Sequence, residues 1–83
     1  MDRTAVNNRL QQVFSEVLWG ATLPVSEMTR DNTGSWDSLA HMNVILAIEE
    51  AFGIRLSDDE VLHIRSYGDA LTAVSRQVAG ASA

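Results

Sequence analysis

Eighty-three residues fall within the range of one small domain, whose core supports only modest net stability. With no cysteine, disulfides, thiolate metal sites and thiol nucleophiles are excluded together. The formal charge of −5 comes from eleven acidic residues against six arginines, with no lysine, a surface that repels phosphate backbones and argues against nucleic-acid partners while favouring basic ones. The segment Met1-Asp2-Arg3-Thr4 lacks a basic run leading into an apolar one, and no apolar stretch approaches the roughly 20 residues needed to span a bilayer. A soluble, cytoplasmic chain without membrane association is expected.

From Thr4 to Trp19 the apolar residues Val6, Leu10, Val13, Phe14, Val17 and Leu18 recur at spacings of three and four between polar ones. This predicts an amphipathic first helix, with Gly20 at its C-terminal cap and Pro24 opposing immediate resumption. Residues 20–37 then read as a long connection. Leu23, Val25, Met28 and Trp36 are expected to pin it to the core, since long structureless connections are uncommon in compact domains. Trp19, too, reads as a core or loop anchor.

The second helix is expected from Asp37 or Ser38 to about Phe52, with Gly53 ending it. At about 100° per residue, Val44, Ile45, Ile48 and Phe52 form one stripe facing the core. Leu39, Asn43, Leu46 and Glu50 fall on roughly the opposite side, with Met42 at its edge. Apolar residues on an outward face point to a docking surface; the competing reading is that the long loop folds over them. Glu49 and Glu50 read as a solvated face with partner contacts.

Ile54 and Leu56 are expected to reach inward, and Ser57-Asp58-Asp59-Glu60 matches a capping box opening a short third helix to about Ile64. Ser66-Tyr67-Gly68-Asp69 repeats the pattern with Asp in the last place, opening a fourth helix that carries Ala70, Leu71, Val74 and Val78. The predicted fold is all-α: a small four-helix bundle, three main helices plus one short one, with a long loop between the first two. One domain is expected over residues 1–83, with its core from about 4 to 79 and a disordered tail over 80–83.

Ser38 stands where the polar loop gives way to the second helix. A hydroxyl there lies beside unpaired backbone N–H groups and the positive end of the helix dipole, which suits an attached phosphate. It does not suit a nucleophile: the wheel turns His41 toward the core, about 60° from Ser38, and the G-x-S-x-G elbow is missing. His41 and His63 lack metal-ligand spacing, so no metal site is expected. A small domain with an exposed hydroxyl, a docking helix and no competing nucleophile suits covalent carriage of a flexible arm, without catalysis of its own.

Trp36-Asp37-Ser38-Leu39, followed by Glu49-Glu50-Ala51-Phe52-Gly53-Ile54, resembles the acyl carrier proteins. The spacing follows that family without a gap from Asp37 to about Leu71, and the first helix and long loop fit in length and pattern. The resemblance implies that Ser38 receives 4′-phosphopantetheine from coenzyme A through a phosphodiester, in a magnesium-dependent reaction of a separate phosphopantetheinyl transferase. It implies that Asp37 and Leu39 are read by that transferase, and that Met42, Asn43, Leu46, Glu49 and Glu50 lie along a recognition helix for biosynthetic enzymes. Acyl intermediates would ride as thioesters on the arm's terminal thiol, and a monomer is expected.

One departure separates this chain from carriers of fatty-acid synthesis, whose second helix is strongly acidic: Ala40, Asn43 and Ala51 are uncharged here. Long-range electrostatic docking is expected to be weaker, with specificity resting more on Leu39, Met42 and Leu46. The pattern resembles discrete carriers of bacterial secondary metabolism, of polyketide type. The alternatives are a peptidyl or aminoacyl carrier, whose usual Gly-Gly-x-Ser signature is absent, and an unmodified helical adaptor on the same scaffold.

Overall fold

The computed structural model describes residues 2–20 and 23–81, with side chains through Val78. Among the described residues its regular elements are all helices: α1 (Arg3–Val17), α2 (Ser38–Phe52), α3 (Asp58–His63) and α4 (Tyr67–Ala81), with one 3-10 turn, Val25–Glu27, in the long loop. The expected bundle of three main helices and one short one is found. α4 runs to Ala81; Ser82 and Ala83, in the expected tail, lie outside the described residues.

Each helix begins where a side chain can take an orphan N–H. Asp2 Oδ1 accepts from Ala5 at 2.8 Å and starts α1 one residue before Thr4. At α3, Ser57 and Glu60 form the reciprocal capping box that their spacing predicts. At α4 only half of the pattern forms. Ser66 Oγ accepts from Asp69 N–H, while the Asp69 carboxylate turns to Arg65 N–H rather than back to Ser66.

α1 ends at Val17, and Leu18 N–H closes onto Phe14 O at 2.8 Å. Leu18 is fully buried, but the chain has left the helical path by Trp19, which is 80% exposed. The expectation that Trp19 anchors the core is therefore overturned. Gly20 follows at φ +89°, a left-handed backbone that glycine adopts without strain.

One apolar cluster joins the helices. Val6, Leu10, Val13, Phe14 and Leu18 meet Val44, Ile45 and Ile48 of α2, and Ala70, Ala73 and Val74 of α4. Phe14 is the hub of the aromatic part, edge-on to Trp36 at 5.2 Å and to Tyr67 at 5.1 Å. Tyr67 Oη donates to the Asn7 backbone and side-chain oxygens, which ties α4 to α1. Phe52, expected in the α2 stripe, is only half-buried, and His41 takes a buried place there instead.

The long loop is organised rather than slack. Met28 and Trp36 are buried, while Leu23 and Val25 are half-buried. Asn32 Oδ1 accepts from Thr29 N–H and its amide donates to Glu27 O. Arg30 N–H donates to Arg65 O, and Tyr67 N–H to Met28 O, so the loop lies along the α3–α4 connection. This route carries it away from the outward face of α2.

Candidate functional site

Asp37 has extended backbone and caps α2, its Oδ1 accepting Ala40 N–H at 2.8 Å. Its carbonyl accepts His41 N–H, also at 2.8 Å. The second bond is the first of the helix ladder, and the first satisfies the orphan donor of Ala40, which leaves the N–H groups of Ser38 and Leu39 at the exposed end. Ser38 is the first residue of the helix and is exposed. Two residues earlier, buried Trp36 donates its backbone N–H to Thr33 O at 3.0 Å. The exposed serine thus stands at a helix start tied by hydrogen bonds on both sides.

His41 is not available to that hydroxyl. Trp36 Nε1–H donates to His41 Nδ1 at 3.0 Å, and His41 Nε2 lies 2.8 Å from Val61 O. An indole nitrogen can only donate and a carbonyl only accept, so the imidazole is neutral with its proton on Nε2. Both ring nitrogens are committed, and the Ser38-His41 dyad rejected on the helical wheel is rejected on geometry as well.

Along α2 the outward face remains open. Leu39, Met42 and Leu46 are 73%, 50% and 58% exposed, and Asn43 and Glu50 are exposed beside them. The reading in which the loop covers these residues is overturned. Glu49 differs from its neighbour, being half-buried with Oε2 accepting Leu56 N–H at 2.9 Å. That corrects the description of Glu49 as part of a solvated face.

Sequence reasoning missed Leu62, which is 72% exposed on α3. Its signal was present: Val61 and Ile64, three residues apart, turn toward the core, and a side chain one position after Val61 is rotated by about 100°. Asp58 and Asp59 are exposed in the first turn of α3, where carboxylates are favourably placed against the helix dipole.

The perturbed titrating groups lie away from Ser38. The Ser57 backbone N–H, with smaller help from the Ser57 hydroxyl, Gln77 and Arg76, holds the Glu60 carboxyl below its ordinary value, against a desolvation penalty. Burial pushes the Tyr67 phenol up. His63 is exposed, with Nδ1 2.7 Å from Asp59 O. Among the described residues no group of three or more His, Asp or Glu side chains could hold a metal ion, and no helix is long and apolar enough to cross a membrane.

No family model and no solved structure matches the chain. Curated proteins do. An acyl carrier protein of Acidothermus cellulolyticus is 32% identical over 76 residues, covering 87% of either chain. One of Guillardia theta is 31% identical over 83 residues, covering 95% of this chain and 99% of its own length. A shorter match, 38% over 40 residues, links it to an acyl carrier protein of Kineococcus radiotolerans. A likeness of that extent, on a helical bundle with an exposed serine at the start of its second helix, places the chain in the acyl carrier protein family.

Proposed function

We propose that Ser38 bears a 4′-phosphopantetheine arm and that the protein presents acyl intermediates to separate enzymes of a bacterial secondary-metabolite pathway of polyketide type. The observation that carries this reading is the exposed Ser38 hydroxyl on the first residue of α2, with an open apolar ridge on the same helix. When attached, the group supplies a thiol at the end of a long arm, on which acyl cargo rides as a thioester.

The residues present fit such a group. Ser38 is exposed, and the Ser38 and Leu39 N–H groups at the positive end of α2 favour an anion by about 0.3–1 kcal/mol. The Asp37 carboxylate shares that end, but its Oδ1 is already engaged by Ala40 N–H, so its cap and an attached phosphate use different donors. With both ring nitrogens committed to Trp36 and Val61, His41 cannot serve Ser38 as a base. The hydroxyl proton is then taken by the phosphopantetheinyl transferase, and the carrier contributes the position of the hydroxyl and the surface around it.

Leu39, Met42 and Leu46, with Asn43 and Glu50 beside them, form the surface that the transferase and the acyl-processing enzymes read. Acidity on α2 is confined to Glu49 and Glu50, and Glu49 is turned to Leu56. Apolar fit therefore outweighs charge in partner choice. Intact mass of the protein isolated from its native producer tests the reading. Added mass of an arm with an acyl group of polyketide type supports it, whereas mass equal to the sequence alone, or an aminoacyl cargo, contradicts it.

A further inference from the structure

α3 is the least anchored helix of the fold: it has six residues, and none is buried. Val61 packs partly against the core, while Leu62 and His63 face outward. Polar ties hold the helix from two sides. From α4, Gln77 Nε2 donates to Arg55 O at 3.0 Å and to Glu60 Oε1 at 3.2 Å. From α2, His41 Nε2–H donates to Val61 O at 2.8 Å.

The second tie meets a need that α3 cannot meet itself. In a longer helix Val61 O would accept the N–H four residues on, but α3 ends at His63 and Arg65 N–H goes to Asp69 Oδ2. Val61 O is one of the orphan carbonyls of a helix end, and His41, itself buried, supplies its donor. The imidazole in turn is oriented by Trp36, which stacks at a tilt with ring centres 5.9 Å apart while donating to Nδ1.

We infer that Trp36, His41 and the Val61 carbonyl form a latch that fixes α3 against the Ser38-bearing start of α2, with His41 as its positioning residue. The latch holds the apolar residues exposed on the two helices, Leu39, Met42 and Leu46 on one and Leu62 on the other, in a fixed relation to one another. That use of the latch rests on the carrier reading above; the latch itself does not.

The test uses the full chain, unmodified at Ser38. In the wild type, long-range proton–nitrogen correlation should show His41 protonated at Nε2 and bare at Nδ1; a predominant Nδ1–H tautomer overturns the inference. Amide exchange across α3 is then compared in His41→Leu and His41→Gln. Leucine, which removes both bonds, should raise α3 exchange on the order of tenfold over any change in α1 and α4. Glutamine, whose amide carries an acceptor and a donor side by side, should restore most of the protection.

Unchanged exchange in α3, equal acceleration of every helix, or leucine and glutamine variants behaving alike would each overturn the latch. Should the leucine variant not fold, Trp36→Phe provides the reading: loss of the donor to Nδ1 should relax the tautomer preference and loosen α3. An unaltered tautomer and unaltered exchange contradict the inference. Because none of these measurements involves modification of Ser38, failure of the latch and failure of the carrier reading are separate results.

Discussion

Glu49 and Leu56 are joined across the end of α2: the Glu49 carboxylate accepts the Leu56 N–H at 2.9 Å. Its backbone carbonyl accepts the N–H groups of Gly53 and Ile54. One residue thus closes the helix and fixes the path by which buried Leu56 enters the core. Two adjacent glutamates that look equivalent in the sequence are assigned different work by this geometry.

Glu49→Ala should therefore destabilise the fold by about 1.5 kcal/mol, the worth of a hydrogen bond to a charged acceptor. Glu50→Ala should stay within about 0.5 kcal/mol, as for exposed surface changes. Urea midpoints at constant slope measure both. Equal losses in the two variants would remove the structural role given to Glu49.

Asp37 combines a cap with a charge, and two substitutions separate them. Asparagine caps a helix as well as aspartate does, so Asp37→Asn should keep stability close to wild type, while Asp37→Ala should cost about 1 kcal/mol. Transferase kcat/KM at Ser38 should fall in both variants, because each lacks the negative charge. A fully active Asp37→Asn protein would show that the residue serves only as a cap.

The acid and alkaline limits of stability should trace to different residues. Glu60 is held below its ordinary value of 4.5, first by the Ser57 backbone N–H, so its contribution is present above pH 4.5 and is lost as pH falls through the lower folded value. Tyr67 is raised above 10.0 by burial, so its contribution is present below that pH and is lost as pH rises through the higher folded value. Denaturation midpoints against pH should show a shallower acid limb in Glu60→Gln and a shallower alkaline limb in Tyr67→Phe. Limbs unchanged by either substitution would contradict the assignment.

What the sequence made legible was local. Asp37 and Gly53 bracket α2 because a cap and a left-handed turn depend on residues a few positions apart. The Ser57-Glu60 box was readable for the same reason. Trp19 was misread because α1 ends two residues early, at Val17, with Leu18 closing onto Phe14, and leaving the helix redirects the next side chain. The Trp36-His41-Val61 relay was hidden because it depends on where an 18-residue connection, 20–37, carries an indole and where a short helix ends. The outward direction of Leu39, Met42 and Leu46 was on the wheel; their freedom from the loop was not.

The central claim is that Ser38 anchors the arm at the capped start of α2, without activation by His41. Incubation of the wild type with coenzyme A, magnesium and a broad-specificity phosphopantetheinyl transferase, followed by intact-mass measurement, tests this most directly. The account predicts one added phosphopantetheine on the wild type and none on Ser38→Ala. A wild type left unmodified under conditions that load an established carrier, or a Ser38→Ala protein that still gains the group, would contradict it.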